Sequence, residues 1–158
     1  MIDVGVRVGS IDLGAPVMTA SGTAGYGSEL AGYLDLSALG AVVTKSLAPY
    51  EWPGNPAPRL HPTPQGMMNA VGLQGPGVRY WLDNVVDDLV ATGATVVASI
   101  WGRSIEDYAQ AAELLAGAPA AVVAVEVNLS CPNLEGRGSI FAHDAALSAE
   151  VIAATEAC

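Results

Sequence analysis

Basic residues are scarce in this chain. Lysine and arginine together number 6 against 16 acidic residues, a formal net charge of −10. A nucleic-acid surface needs clustered Lys and Arg, so that class of partner is excluded, and the acidic balance reads as a source of solubility. Cysteine is scarcer still: Cys131 and the terminal Cys158 are too few for a disulfide framework or an iron–sulfur cluster, and they fit a reducing compartment. No apolar run approaches the roughly 20 residues of a membrane span. The opening MIDVGVRVGSIDLG lacks the charged-then-apolar layout of a signal peptide. A soluble, cytoplasmic protein without membrane contact is expected. The dinucleotide fingerprint is missing too, because ASGTAGYG holds Gly22, Gly25 and Gly27 at the wrong spacing, and no P-loop occurs. His61 and His143 are isolated in sequence, so no metal site is expected.

What is present is apolar, patterned sequence. With 51% hydrophobic and 14% charged residues in 158, the chain has enough core for one compact domain over 1–158. Val4, Val6 and Val8, then Gly9-Ser10, then Ile11 and Leu13, read as a small N-terminal hairpin. APVMTASG (15–22), AVVTKS (41–46), TVVASIWG (95–102) and AVVAVEVNLS (121–130) read as four strands. The last three are β-branched and apolar without alternation, as parallel strands covered on both faces are. Helices are expected over 28–39, along the stripe Val78, Leu82, Val85, Val86 and Leu89, and along Ile105, Tyr108, Ala109, Ala112 and Leu115. Ser104 and Asp107 spell a capping box for the last of these, and Asp144 is placed to cap a final helix. Strand–helix alternation implies an α/β fold, and about four such units make half of a TIM-type β/α barrel, which needs about 250 residues. The stretch 48–77 is a long Pro- and Gly-rich connection whose 67–73 core is too apolar for a plain linker.

In a β/α barrel the chemistry sits at the C-terminal strand ends. Those ends carry Ser21-Gly22, Lys45-Ser46, Ser99, and Asn128, Ser130 and Cys131, and the long connection adds Asn69. Each has a plain reading: a solvated rim lysine, turn-closing asparagines, an inert buried thiol. Each also has a chemical one. Lysine supplies fixed positive charge to an anion, and asparagine offers donor and acceptor together to a ring of alternating N–H and C=O groups. A thiol, ordinarily titrating near 8.5, becomes a base once its thiolate is favoured. Glu126, within the fourth strand, has no evident partner in the sequence.

Taken in series, MTASGTAGYG (18–27), GAVVTKSL (40–47), PGNPAPRL (53–60), GMMNAVGLQGPG (66–77) and EVNLSCPN (126–133) resemble dihydroorotate dehydrogenase. They are most similar to its soluble class 1 flavoenzymes, of the subtype with a separate electron-transfer subunit. The resemblance implies a β/α barrel with FMN at its C-terminal rim, oxidising dihydroorotate to orotate in pyrimidine (UMP) biosynthesis. By matching position it implies flavin contacts at Ser21, Lys45, Ser46, Ser99 and Asn128. Substrate contacts are implied at Lys45, Asn69, Ala70, Val71, Gly72, Leu73, Asn128 and Asn133, with Cys131 as the catalytic base. It further implies an iron–sulfur flavoprotein subunit passing electrons to NAD, and a homodimer of barrel subunits within a heterotetramer. Two positions depart from the family pattern: Ser99 and Gly75 each stand where asparagine is usual or frequent. The family's second half supplies the phosphate grip, so this chain is expected to be a truncated N-terminal half. Two alternatives remain at this level: a dihydropyrimidine dehydrogenase-like flavin barrel, which has a similar NLSCP stretch, and an inactive half-barrel. Asn133 and GLQGPG favour dihydroorotate.

Overall fold

The computed structural model of the chain describes residues 4–132 and 140–158. Strands β1 (Val6–Val8) and β2 (Ile11–Leu13) pair antiparallel, with Val6 opposite Leu13 and Val8 opposite Ile11, so the N-terminal hairpin is present. Three parallel strands follow in one sheet, β3 (Val42–Val43), β6 (Val96–Ile100) and β7 (Val122–Val127), with spatial order equal to chain order. Between β3 and β6 lies a separate antiparallel ribbon of β4 (Leu60–Thr63) and β5 (Gly66–Asn69).

Both faces of the parallel sheet are covered at β3 and β6, as their apolar runs require, whereas β7, expected to be covered likewise, is only partly so, with Val123 and Val125 exposed. Successive residues on a strand point to opposite faces. Val42, Val96, Ala98 and Ile100 join the main core with Trp81, Val86, Leu89, Tyr108 and Leu115 from the helices. Ala41, Val43 and Val97 join Leu13 of the hairpin on the other face, with Val6, Ile11 and Ala124 packed against them. The hairpin thus closes the floor beneath the strand ends. The β6–β7 register slips once, from Val96 opposite Val122 to Val97 opposite Ala124, leaving Val123 as the bulged residue.

The helical stripe from Val78 forms two helices, α1 (Val78–Asn84) and α2 (Val86–Ala91), separated at Val85, whose φ of −128° breaks the helical run. Helix α3 (Ile105–Leu115) begins with the capping box: Ser104 accepts from the Asp107 amide, and Asp107 reaches back to the Ser104 amide. Helix α4 (Ala145–Glu156) is capped by Asp144, which accepts from the amides of Ala146 and Leu147.

Three expectations are corrected. The strand expected over 15–22 is reduced to a single parallel bridge between Met18 and Ala41. The helix expected over 28–39 is a series of turns with one 3-10 turn at Leu36–Ala38. There, the Glu29 carboxylate folds back to accept from the amides of Tyr26 and Gly27 at 2.9 and 2.6 Å, and Asp35 takes the Ser37 amide and hydroxyl. Such side-chain bonds offer the backbone an alternative to helix. The connection 48–77 is no irregular loop, since it carries the β4–β5 ribbon.

Candidate active site

The inner face of the sheet changes character two residues above its apolar floor. Val43, Val97 and Ala124 lie in the floor cluster; the next residues in step are Lys45, Ser99 and Glu126. Ser99 and Glu126 are register partners across β6 and β7. Period-two alternation therefore lifts one cation, one hydroxyl and one carboxylate to the rim, and Asn128 follows at the next step.

Of these, Glu126, Ser99 and Asn128 form one hydrogen-bonded chain through Ser46. The Ser99 hydroxyl bonds Glu126 Oε1 at 2.8 Å, and Ser46 Oγ lies 2.8 Å from Ser99 Oγ. Asn128 Nδ2 donates to Ser46 Oγ at 2.9 Å. Asn128 Oδ1 accepts from the Ser130 amide at 3.2 Å. The backbone around them is held equally well. Thr44 Oγ1 accepts from the Ser99 amide at 3.1 Å, the Asn128 amide donates to the Ile100 carbonyl at 2.9 Å, and the buried Tyr108 donates to the Asn128 carbonyl at 2.8 Å. Ser46, Ser99 and Thr44 are buried, so each satisfied bond here spares a desolvation penalty. Ser21, in the turn after the Met18 bridge, lines a hollow of about 360 Å³ with Glu126, Val127, Asn128, Leu129 and Ser130.

Lys45, the sequence's only lysine, follows β3 half-buried, its amide donating to the Gly25 carbonyl at 2.8 Å. Gly25 sits at φ 77°, a conformation that favours glycine, and a side chain there would strike the Glu29 carboxylate. Burial pulls the Lys45 ammonium below its ordinary 10.5; Cys131 opposes that shift and Arg59 adds to it. The lysine is thus within electrostatic reach of both the thiol and the guanidinium. Cys131 is a free, partly exposed thiol four residues beyond the end of β7.

Asn69 lies on β5, beside a smaller hollow of about 210 Å³ shared with Arg59, His61, Met68 and Ala70. The segment after it is held through its backbone. Ala70 donates to the Arg59 carbonyl, its own carbonyl accepts from Asn55, Val71 accepts from the Asn55 amide, and Gly72 accepts from Trp52 Nε1. Leu73 packs against the main core at φ 59°. Arg59 braces this arm, reaching the Pro53 and Asn55 carbonyls and Gln74 Oε1, and its charge adds to the lowering of the Lys45 pKa. Asn133 lies outside the described residues.

Sequence reading placed Ser46, Ser99 and Asn128 on one rim, and the hydrogen bonds join them. Four supporting groups have no site role in the sequence reading: Glu126, Thr44, Tyr108 and Arg59. Tyr108 was read as part of a core stripe, which it also is. The signal for Glu126 was its two-residue step above Ala124.

A rim of amide, hydroxyl, thiol and ammonium groups above an apolar floor, at the C-terminal ends of parallel strands, is the arrangement of a β/α enzyme. The chain belongs to the dihydroorotate dehydrogenase family, whose sequence pattern matches residues 4–158. It is 43% identical over 150 residues to the catalytic subunit of dihydroorotate dehydrogenase B (NAD(+)) from Geotalea uraniireducens, covering 95% of this chain and 49% of that one. The subunit of the same name from Trichlorobacter lovleyi is 43% identical over 152 residues, covering 96% and 50%. That from Bacteroides thetaiotaomicron is 37% identical over 157 residues, covering 99% and 52%. The chain therefore spans about half the length of these curated relatives. Among the described residues, no helix is long and apolar enough to cross a membrane, and no three ligating side chains gather as a metal site.

Proposed function

We propose that this protein oxidises dihydroorotate to orotate with FMN as hydride acceptor and Cys131 as general base. One observation supports this most: in a chain of this family, Ser46, Ser99 and Asn128, which follow or lie on three different strands, are joined by hydrogen bonds beside the hollow that Ser21 and Asn128 line. The residues suit a flat heterocycle. The hollow beside Ser21 and Asn128 is lined by hydroxyl, amide and carboxylate groups, matching a ring edge of alternating N–H and C=O.

Making the ring double bond removes a proton from one carbon and a hydride from its neighbour. FMN, when bound, supplies the hydride acceptor. The Cys131 thiolate takes the proton onto Sγ, which leaves a neutral thiol. Lys45 offsets the negative charge of the substrate carboxylate in a partly desolvated setting, where fixed charge counts for more than in water. Asn69 and Asn128, with the backbone-anchored segment Ala70 to Leu73, hold the ring so that the breaking C–H bonds stay aligned. Ser21, Ser46 and Ser99 are assigned to the flavin, and Asn133, outside the described residues, is assigned to the substrate by its match to the family pattern.

The relatives' name, a catalytic subunit linked to NAD(+), supports a second subunit as electron acceptor. We assign that role to an iron–sulfur flavoprotein, with paired barrel subunits at the centre of the assembly. The test is anaerobic mixing of the FMN-loaded protein, at its full natural length, with dihydroorotate or dihydrouracil. Rapid bleaching of the flavin by dihydroorotate is expected; bleaching by dihydrouracil alone would reassign the substrate. NAD reduction should require the second subunit. Efficient NAD reduction by the barrel subunit by itself would remove the partner from the scheme.

A further inference from the structure

Glu126 is the one charged side chain in β7, and the chemistry above assigns it nothing beyond lining the hollow. We propose that Glu126 is a positioning residue: its carboxylate sets the direction of every hydrogen bond from Ser99 through Ser46 to Asn128, and so, with the Ser130 N–H, holds the Asn128 amide in one facing toward the hollow. This rests on reading the hollow as the flavin or pyrimidine site.

The argument is one of donor counting. An ionised carboxylate only accepts, so the Ser99 hydroxyl, 2.8 Å from Glu126 Oε1, must spend its single proton there. Ser99 Oγ can then only accept from Ser46, 2.8 Å away, and the Ser46 proton is spent in turn. Ser46 Oγ is left as an acceptor, and the group 2.9 Å from it on Asn128 must be the Nδ2 donor. The far side of the amide gives the same answer independently. The Ser130 backbone N–H, 3.2 Å away, can only donate, so Oδ1 must face it. One anion, two strands away from Ser46, thus acts together with the Ser130 N–H to hold the amide in one orientation. Without it the hydroxyls can reverse and Ser46 can donate toward Asn128, so that the amide either faces a donor with its own Nδ2 or turns over and gives up the Ser130 bond. Chains of this kind polarise one another in a low-dielectric setting. Ser46 and Ser99 are buried, so bulk water has no access to relay the order instead.

Glu126→Gln keeps size and can donate as well as accept, so it removes the direction and little else. The protein at its full natural length is titrated with FMN by fluorescence quenching, as wild type, E126Q, E126D, S99A and the S99A/E126Q double variant. E126Q is expected to weaken FMN binding by about tenfold, the scale of a hydrogen bond to a charged group. E126D, which keeps the anion, should lose less. S99A/E126Q should bind no worse than S99A, because the message passes through Ser99. A role in general packing would instead weaken S99A/E126Q further by the same factor, and that result, or unchanged FMN affinity in E126Q, overturns the proposal. The Asn128 side-chain amide resonances of the flavin-free protein give a second readout. They should shift or split on E126Q in a Ser99 background and stay put in an S99A background. If the wild type binds no FMN, the functional reading fails, while these resonances still decide the positioning role: identical Asn128 signals in wild type and E126Q would sink it.

Discussion

Cys131 and Lys45 divide the proposed chemistry between a proton acceptor and a fixed charge, and each assignment has its own signature. Cys131→Ala should retain bound FMN, because the thiol is given no part in holding it, yet lose flavin reduction by about 10²–10⁴-fold, the usual worth of a general base. Cys131→Ser should also be slow, since a hydroxyl is a far weaker acid than a thiol. Stopped-flow bleaching with dihydroorotate under anaerobic conditions measures both; wild-type bleaching by Cys131→Ala would place the base elsewhere. For Lys45 the signature is in pH. Burial first, with Arg59 adding and Cys131 opposing, lowers its pKa from 10.5. The ammonium carries charge below that lowered value and loses it above. Dihydroorotate affinity should therefore be full near neutrality and fall as pH rises, before an ordinary lysine would discharge. Lys45→Met should bind weakly at every pH and show no such fall. An affinity that stays constant up to 10.5 in the wild type would remove Lys45 from the carboxylate.

Helix α3 is the element whose start was most legible, and it also reaches the rim through Tyr108. Ser104→Ala should cost about 1 kcal/mol of stability, the usual loss at an N-cap. Asp107→Ala should cost more, because Asp107 Oδ2 also accepts from the Arg103 amide at 2.8 Å and from Tyr50 Oη at 2.9 Å. Urea unfolding of the two variants measures the difference; equal losses would mean that the Tyr50 and Arg103 bonds contribute nothing. The capping box, the Asp144 cap and the three parallel strands were readable because their signals are local: a side chain three residues from its amide, or a β-branched run. The turns over 28–39 were not, since the apolar spacing suits a helix and only the fold-back of Glu29 onto Tyr26 and Gly27 overrides it. The β4–β5 ribbon was hidden by Pro62, which ordinarily argues against a strand. Proline is tolerated here because the ribbon has only two strands, leaving an outer edge on each. At the site, strand ends pointed to Ser46, Ser99 and Asn128 by position, but the Glu126–Ser99 pairing depends on the β6–β7 register, and a bulge at Val123 sets that register. No local pattern announces such a slip.

Across the whole molecule, the sheet order β3-β6-β7 leaves β7, among the described residues, paired on one side only. Val123 and Val125 on that strand are each 38% exposed. A groove of about 410 Å³ runs beside it, lined by Leu115, Val125, Val127 and Ile152 among others. A strand edge with open N–H and C=O groups and apolar flanks is a template for pairing with another chain. The 158-residue chain by itself should therefore self-associate at micromolar concentration, and it should bind FMN poorly, since phosphate sites in β/α barrels are built after later strands. Val123→Lys puts a charge on the bulged, half-exposed position of β7 and should shift the chain toward monomer without touching Ser46, Ser99 or Asn128. Light scattering on freshly purified chain, with and without excess FMN, reads both expectations. A monodisperse monomer that takes up FMN stoichiometrically would show that β7 is protected and the flavin held by these residues alone. Association that persists unchanged in Val123→Lys would move the contact from the strand edge to another surface, with the exposed Met67 and Met68 of the ribbon the next to be replaced.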